Sequence, residues 1–408
     1  MLSVPMLSVD EARTRIIAPL RPTQAEMVAL AEAWGRVTAA PVAARLTQPP
    51  TDVSAMDGYA LRAADGAMGA VLHVIGEAPA GRPLLGEVSA GQAVRLFTGS
   101  AVPAGADCVV AQEDVAAEGD TMRLDTQAQA QAGRHIRRAG QDFRIGDELL
   151  PAGVRLGARG IGLAAAANHP WLAVHRRPRV AILATGDEIT MPGDPLTAGG
   201  IVSSNAHALA ALVRSGGGDP LVLPIARDTR AAVAEAVGAL GGVDLLVTTG
   251  GASVGDYDLV QSGLGEHGFV LDFWRIAMRP GKPLLFGMLK GVPVLGLPGN
   301  PVSALVCAVL FLLPALARLS GLPGDAPPST MMALGAAVGP NDQRQDHLRS
   351  SIAAGPDGQP QATPFTRQDS SLLWLLAQAD GLVVRPPHAP ALLAGAFVPV
   401  IRLDLLGV

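Results

Sequence analysis

The sequence predicts a multidomain chain of mixed class, α/β plus β, with a mostly parallel central sheet covered by helices on both faces. Three observations lead there. From Arg179 onward, short apolar runs alternate with helical patterns, as in a parallel sheet built from βαβ units. From Pro41 to about Gly146 the texture is different: short β-branched runs separated by Gly and Pro turns, the pattern of a small all-β domain. Finally, 408 residues allow two to four domains at about 150 residues each.

In chain order, Ser8 caps a helix over 9–18, with Glu11 three residues on completing a capping box. Thr23 and Glu26 repeat the pattern and predict a second helix over 27–34, stopped by Gly35. This opening reads as an N-terminal helical layer. Strands follow at 71–75, 93–97 and 108–111, with Asp57 in the polar cluster 54–60 and Thr98 where a strand ends in hydroxyls. A lone Asp-Gly pair is most often only a turn. A helix over 154–167 returns to the N-terminal layer, and the proline-containing stretch 169–178 marks a boundary. Beyond it come a strand at 179–183, a helix at 205–215, a strand at 221–225, a helix at 229–240, strands at 243–247 and 292–297, and a helix opened by Pro301. After the Gly- and Pro-rich 321–328, runs at 382–385 and 397–403 predict a last β domain.

Composition excludes several function classes. Net charge is −5, and no basic run is denser than 134–138, so no nucleic-acid partner is expected. Cys108 and Cys307 sit in apolar sequence and read as buried thiols of a reducing compartment. The first ten residues lack a signal-peptide pattern. Only 302–317 approaches membrane character; it falls short of the roughly 20 residues a span needs and reads as a buried helix, so a cytoplasmic protein with no membrane partner is expected.

The chemistry concentrates at strand ends. At 244–258 an apolar strand runs into a loop holding Thr248, Thr249, Gly250, Gly251, Ser253, Gly255, Asp256 and Asp258. Glycines let backbone amides approach an anion, and ligands of parallel sheets gather at the carboxyl ends of strands. A turn kept only for its geometry is the competing reading. Two later stretches weigh against it. In 278–283 prolines stiffen a turn carrying Arg279 and Lys282, and Lys282 is one of only two lysines in a chain otherwise basic through arginine. In 296–303, Pro298 ends a strand, Asn300 and Pro301 look like an N-cap and first helical position, and Ser303 follows. Collected with Asp187, Glu188, Arg227 and Asp228 at one sheet edge, these residues suit a phosphate-like anion and a hard cation such as Mg²⁺.

The ordered motifs Ser-Ala-Met-Asp-Gly-Tyr-Ala (54–60), Phe-Thr-Gly-Ser (97–100), Ala-Gly-Gln-Asp (139–142), Thr-Gly-Asp-Glu (185–188), Ser-Asn (204–205), Gly-Gly-Ala-Ser-Val-Gly (250–255), Pro-Gly-Lys-Pro (280–283) and Leu-Pro-Gly-Asn-Pro-Val-Ser (297–303) resemble the molybdopterin molybdenumtransferases, bacterial relatives of the gephyrin C-terminal domain. The resemblance runs nearly end to end. It implies an elongated, four-part homodimer: a helical linking and dimerisation domain from 1–44 and 146–176, a small β domain over 45–145, a three-layer α/β/α molybdopterin-binding domain over 177–325, and a C-terminal β domain over 326–408. The implied reaction inserts molybdenum from molybdate into adenylylated molybdopterin and releases AMP, with Mg²⁺ assisting. Carried over by motif, Asp57, Glu188, Asp258 and Lys282 are catalytic, with Glu188, Asp228 and Asp258 holding metal. Thr98, Asp228, Gly250, Gly251, Ser253, Arg279, Pro298, Asn300, Pro301, Ser303, Arg349 and Ser371 bind substrate, with Asp57 and Thr98 reaching across the dimer. Implied neighbours are a molybdopterin adenylyltransferase and molybdoenzyme acceptors.

Two departures from the family pattern stand out. Val53 occupies a position often held by asparagine, and Arg279 replaces a frequent lysine, exchanging a compact ammonium for a planar fork. Two other functions compete. A molybdopterin adenylyltransferase needs only the middle of this chain, and a non-catalytic molybdopterin-binding scaffold needs no intact acidic and lysine residues.

Overall fold

The computed structural model describes residues 6–125, 130–238, 240–250, 264–265, 267–356 and 358–408. At its centre is a six-stranded sheet in the order Asp219–Val222, Arg179–Ala184, Leu245–Thr249, Val292–Leu297, Pro283–Leu289, Phe269–Arg275. The first four strands run parallel, Pro283–Leu289 runs antiparallel to them, and Phe269–Arg275, antiparallel to Pro283–Leu289, returns to the direction of the first four. Both faces are covered, which is why these strands read as continuous apolar runs. Val180, Ile182 and Val247 pack with the Asn205–Ser215 helix and the Pro301–Leu319 helix on one side. Ala181, Leu183 and Leu246 pack with Val233 and Val237 of the Arg230–Gly238 helix on the other. The Arg179–Ala184 strand has its two sequential successors on opposite sides, so the chain reverses direction beside it and opens a crevice at the carboxyl edge.

The Pro301–Leu319 helix is 19 residues long with mean hydropathy 2.3, longer than the 302–317 expected, yet 78% of its most apolar stretch is buried within the fold. Its middle turn, Ala308–Leu312, is wound as a π-helix. It is a core element, and Cys307 on it is a buried free thiol, as is Cys108.

The opening differs from expectation in two ways. The Val9–Ile17 helix has its capping box, with the Glu11 N–H donating to Ser8 Oγ at 3.2 Å and the Ser8 N–H to Glu11 Oε2 at 2.9 Å. Its buried residues Val9, Ala12 and Ile16, however, join the central core. The helix expected at 27–34 is instead a strand, Ala25–Ala29, paired antiparallel with Trp171–His175, followed by a short 3₁₀ turn at Leu30–Glu32. Its two supposed capping residues are spent on tertiary contacts. The Thr23 hydroxyl donates to the Arg176 carbonyl and Glu26 accepts from Arg36, so local propensity yields to strand pairing. The helix expected at 154–167 is shortened to Ala158–Ala166 because Val154 and Leu156 are drawn into backbone bonds with Thr38 and Arg36.

The small β domain is a six-stranded sheet in which Gly58–Leu61 lies between Cys108–Ala111 and Gln92–Leu96. In the C-terminal domain Gln345–Ala354 pairs with both Pro360–Pro364 and Gly381–Arg385, closing five strands into a ring. A sixth, Met278–Arg279, comes from the central domain and pairs parallel with Gln345 and Asp346.

On that shared strand His347 is fully buried, its Nδ1 has no hydrogen-bond partner, and burial pushes its pKa down to about 4 from 6.5. The unfolded chain therefore takes up this proton first as pH falls. Stability owed to a neutral His347 is intact above about pH 6.5 and declines toward pH 4, by a limit of roughly 3 kcal/mol. Denaturant titrations across that window will show the decline in the wild type and a flatter profile in His347→Phe; identical profiles would contradict this assignment.

Candidate active site

A cleft of about 1010 Å³ opens between the carboxyl edge of the central sheet and the C-terminal domain. Thr249, at the end of the Leu245–Thr249 strand, and Gly250 after it line the cleft. Gly250 has φ +97°, and a Cβ there would stand 2.3 Å from the Thr185 carbonyl oxygen, so both backbone conformation and space demand glycine. The neighbouring strand ends are knitted together by Asn205, whose Nδ2 donates to Thr249 Oγ1 at 2.9 Å and to the Gly299 carbonyl at 2.7 Å. Thr249 Oγ1 in turn donates to the Pro298 carbonyl at 3.2 Å. Asn205 was quoted only as part of a motif; its place at a helix start reads in sequence as a cap.

Glu188 lines one wall. It follows Gly186, whose φ is +149° and where a Cβ would stand 2.7 Å from Glu188 Oε2, so the carboxylate folds back over the strand end. Asp228 does not line the cleft; its backbone N–H donates to Asp187 Oδ1 at 3.2 Å at the next strand end. Gly251, Ser253 and Asp258 lie outside the described residues. Among the described residues no three His, Cys, Asp or Glu side chains gather as an ion site.

Among the described residues three basic side chains line the cleft: Arg279, Lys282 and Arg344. Arg279 was expected to receive an oxyanion, but its Nε and Nη2 donate to the two oxygens of Asp346 at 2.9 and 2.6 Å. Arg344 is closed on Asp342 in the same bidentate way, which holds the Asp342 carboxyl down at about 2. Among the described residues no carboxylate pairs with Lys282, so the ammonium is the cation left to face a ligand.

The opposite wall pairs Pro298, Asn300, Pro301 and Ser303 with Gln368–Ser371 of the C-terminal domain. Asn300 occupies the N-cap position, but its side chain makes no cap bond; its Nδ2 donates to Ser370 Oγ at 2.8 Å instead. The Val302 N–H donates to the Ser370 carbonyl at 3.1 Å, so one amide of the expected anion-ready helix terminus is already taken. Ser371 lines the cleft and donates to Asp369 Oδ1 at 2.6 Å, which holds the Asp369 carboxyl below its ordinary range. Arg349 stands one layer back. It is buried, donates from Nη1 to the Asp369 carbonyl at 2.9 Å and from Nε to Gln368 Oε1 at 3.2 Å, and its Nη2 has no partner.

Asp57 and Thr98 are together but elsewhere. Asp57 Oδ1 accepts the Thr98 N–H at 2.7 Å and hydroxyl at 2.8 Å, bonds that lower its pKa, and neither residue lines the cleft of its own chain. Next to them, a second hollow of about 650 Å³ is lined by Val53, Gly99, Arg137 and Asp142 among others.

The fold and the cleft define a class: a multidomain protein with a mostly parallel α/β domain at its centre and a cleft at the carboxyl edge of that sheet. Residues 7–168 match the family model described as MoeA N-terminal region (domain I and II), 181–318 a probable molybdopterin binding domain, and 332–403 the MoeA C-terminal region (domain IV). A molybdopterin molybdenumtransferase of Nostoc sp. is 40% identical over 73% of this chain and 70% of its own. Molybdopterin molybdenumtransferase 2 of Mycobacterium tuberculosis is 35% identical over 97% of this chain and 99% of its own. Two crystal structures of MoeA proteins from Pyrococcus horikoshii superpose with TM-scores of 0.82 and 0.83, at 30% and 26% identity, covering 98% and 97% of this chain and 99% of each of theirs. The chain belongs to the molybdopterin molybdenumtransferase family.

Gly250→Ala adds strain at positive φ and a clash with fixed backbone, and will cost about 2 kcal/mol or more of stability. A lowered thermal midpoint checks this; a midpoint equal to wild type would refute the close approach to Thr185.

Proposed function

We propose that this protein is a molybdopterin molybdenumtransferase: it inserts molybdenum from molybdate into adenylylated molybdopterin and releases AMP. The observation that carries the reading is the cleft in which Lys282, with no carboxylate partner among the described residues, stands with the glycine turn at Gly250 and the Glu188 carboxylate. Molybdate is a tetrahedral dianion, and an ammonium with no carboxylate partner among the described residues is a chemically fitting receptor. The polar wall of Asn300, Ser303 and Ser371 offers hydrogen bonds to the pterin or nucleotide.

Glu188 also fits Mg²⁺. This ion is commonly held by one or two carboxylates plus substrate phosphates and water, and Glu188 supplies a hard oxygen donor on the cleft, with Asp228 and Asp258 as the further candidates. Bound there, Mg²⁺ would neutralise charge on the phosphate oxygens. The protein's own part is positional: Lys282 binds and orients the oxyanion, and the Asn205–Thr249 bonds keep the strand ends fixed beneath it. Asp57 and Thr98, bonded to each other and absent from the cleft of their own chain, support a homodimer in which the small β domain of one copy completes the site of the other.

Purified protein given adenylylated molybdopterin, Mg²⁺ and molybdate will release AMP and leave molybdenum on the pterin, and Lys282→Ala will raise the molybdate half-saturation at least about tenfold. AMP formed from ATP alone would favour an adenylyltransferase, and pterin held without turnover a scaffold.

Shared sites make a second expectation. At limiting molybdate, Asp57→Ala and Lys282→Ala each keep no more than about a tenth of wild-type activity alone, but co-expressed they recover about a quarter, from the one intact site in each mixed dimer. No recovery in verified mixed dimers would contradict the shared site.

A further inference from the structure

The turn that carries Lys282 is fastened to the C-terminal domain from its first residue. Met278 and Arg279 pair in parallel with Gln345 and Asp346 as an added strand. On top of this backbone pairing, the Arg279 fork closes on Asp346 at 2.9 and 2.6 Å. The Asp346 side chain is only 4% exposed, its carboxylate is bonded by that fork, and buried Arg385 is opposite it in the ladder. The third guanidinium nitrogen of Arg279 faces Asp342 at 3.8 Å, and Asp342 is itself closed on Arg344. Between Arg279 and Lys282 there is no slack. Gly281 has φ +109° and lies so close to Cys307 that a Cβ would stand 2.4 Å from Sγ.

We propose that Asp346 is a positioning residue for the oxyanion, resting on the transferase reading above: its two-bond hold on Arg279 fixes the turn and keeps the guanidinium away from the oxyanion, leaving Lys282 to receive it. Arginine at 279 then has a specific use. A lysine there could not span both oxygens of Asp346, whereas the planar fork does. The Arg279 guanidinium is thereby converted from a ligand-binding group into a strut between two domains.

Four full-length proteins test this: wild type, Asp346→Asn, Arg279→Gln and the double variant. Molybdate binding is measured by equilibrium dialysis, and half-saturation for molybdate and for adenylylated molybdopterin by AMP release. Each single variant is expected to weaken molybdate binding and raise its half-saturation about tenfold, the double no more than either, with the pterin half-saturation within about twofold of wild type. Tighter or unchanged molybdate binding in Asp346→Asn beside weaker binding in Arg279→Gln would overturn the proposal, because Arg279 itself would then be the receptor; additive losses would overturn it as well. If Asp346→Asn does not fold, Arg279→Lys carries the test from the more exposed partner: a severalfold rise in molybdate half-saturation supports the strut, and no change refutes it. Wild-type protein that binds molybdate but releases no AMP would sink the transferase reading while the dialysis still decides the role of Asp346.

Discussion

The molecule depends on the burial of one sheet from both sides. Once Ile182 and Val247 face one helical layer and Ala181 and Leu246 the other, the open carboxyl edge becomes the place where strand ends and their loops must satisfy their own polar groups. They do so by bonding to each other: Asn205 reaches Thr249 and Gly299, Thr249 reaches Pro298, and the Thr185 N–H donates to the Thr249 carbonyl. Those bonds hold the strand ends together beneath the cleft, and Gly250 is the position that leaves room for nothing larger.

The C-terminal domain then turns a sheet edge into a cleft. It is joined to the central domain by the pairing of Met278 and Arg279 with its edge, by the Arg279–Asp346 fork, and by the two bonds from Asn300 and Val302 to Ser370. Arg349 sits behind this second contact and holds Gln368 and Asp369 in place. The cleft arginines Arg279 and Arg344 are thus both closed on carboxylates, while among the described residues Lys282 has no such partner. A chain with 31 basic residues against 36 acidic ones and only two lysines uses arginine for fixed forks and reserves an ammonium for the cleft.

Much of this was legible in the sequence, for stated physical reasons. The alternating apolar runs gave the central sheet, because strands buried on two faces leave a periodicity that loops do not share. The Ser8 capping box was readable because it is local. The segment 27–34 was misread because Thr23 and Glu26 are used by Arg176 and Arg36, partners far along the chain or across a turn that propensity cannot see. Site composition was legible as motifs, but pairing was not. Arg279 and Lys282 differ in sequence as fork and ammonium, but both read as cations for an oxyanion, and the bonds from Arg279 to Asp346 become visible only in the fold. Asn300 likewise reads as a cap and acts as a bridge to Ser370.

The most direct measurement of the central claim is a crystal structure of the full-length protein soaked with tungstate, in which anomalous scattering locates the metal. Tungsten is expected within hydrogen-bond reach of the Lys282 ammonium, with Arg279 still closed on Asp346 and Asp57 of the partner subunit at the rim of the same cleft. Tungsten bound by Arg279 released from Asp346, or lying away from this cleft, would contradict it.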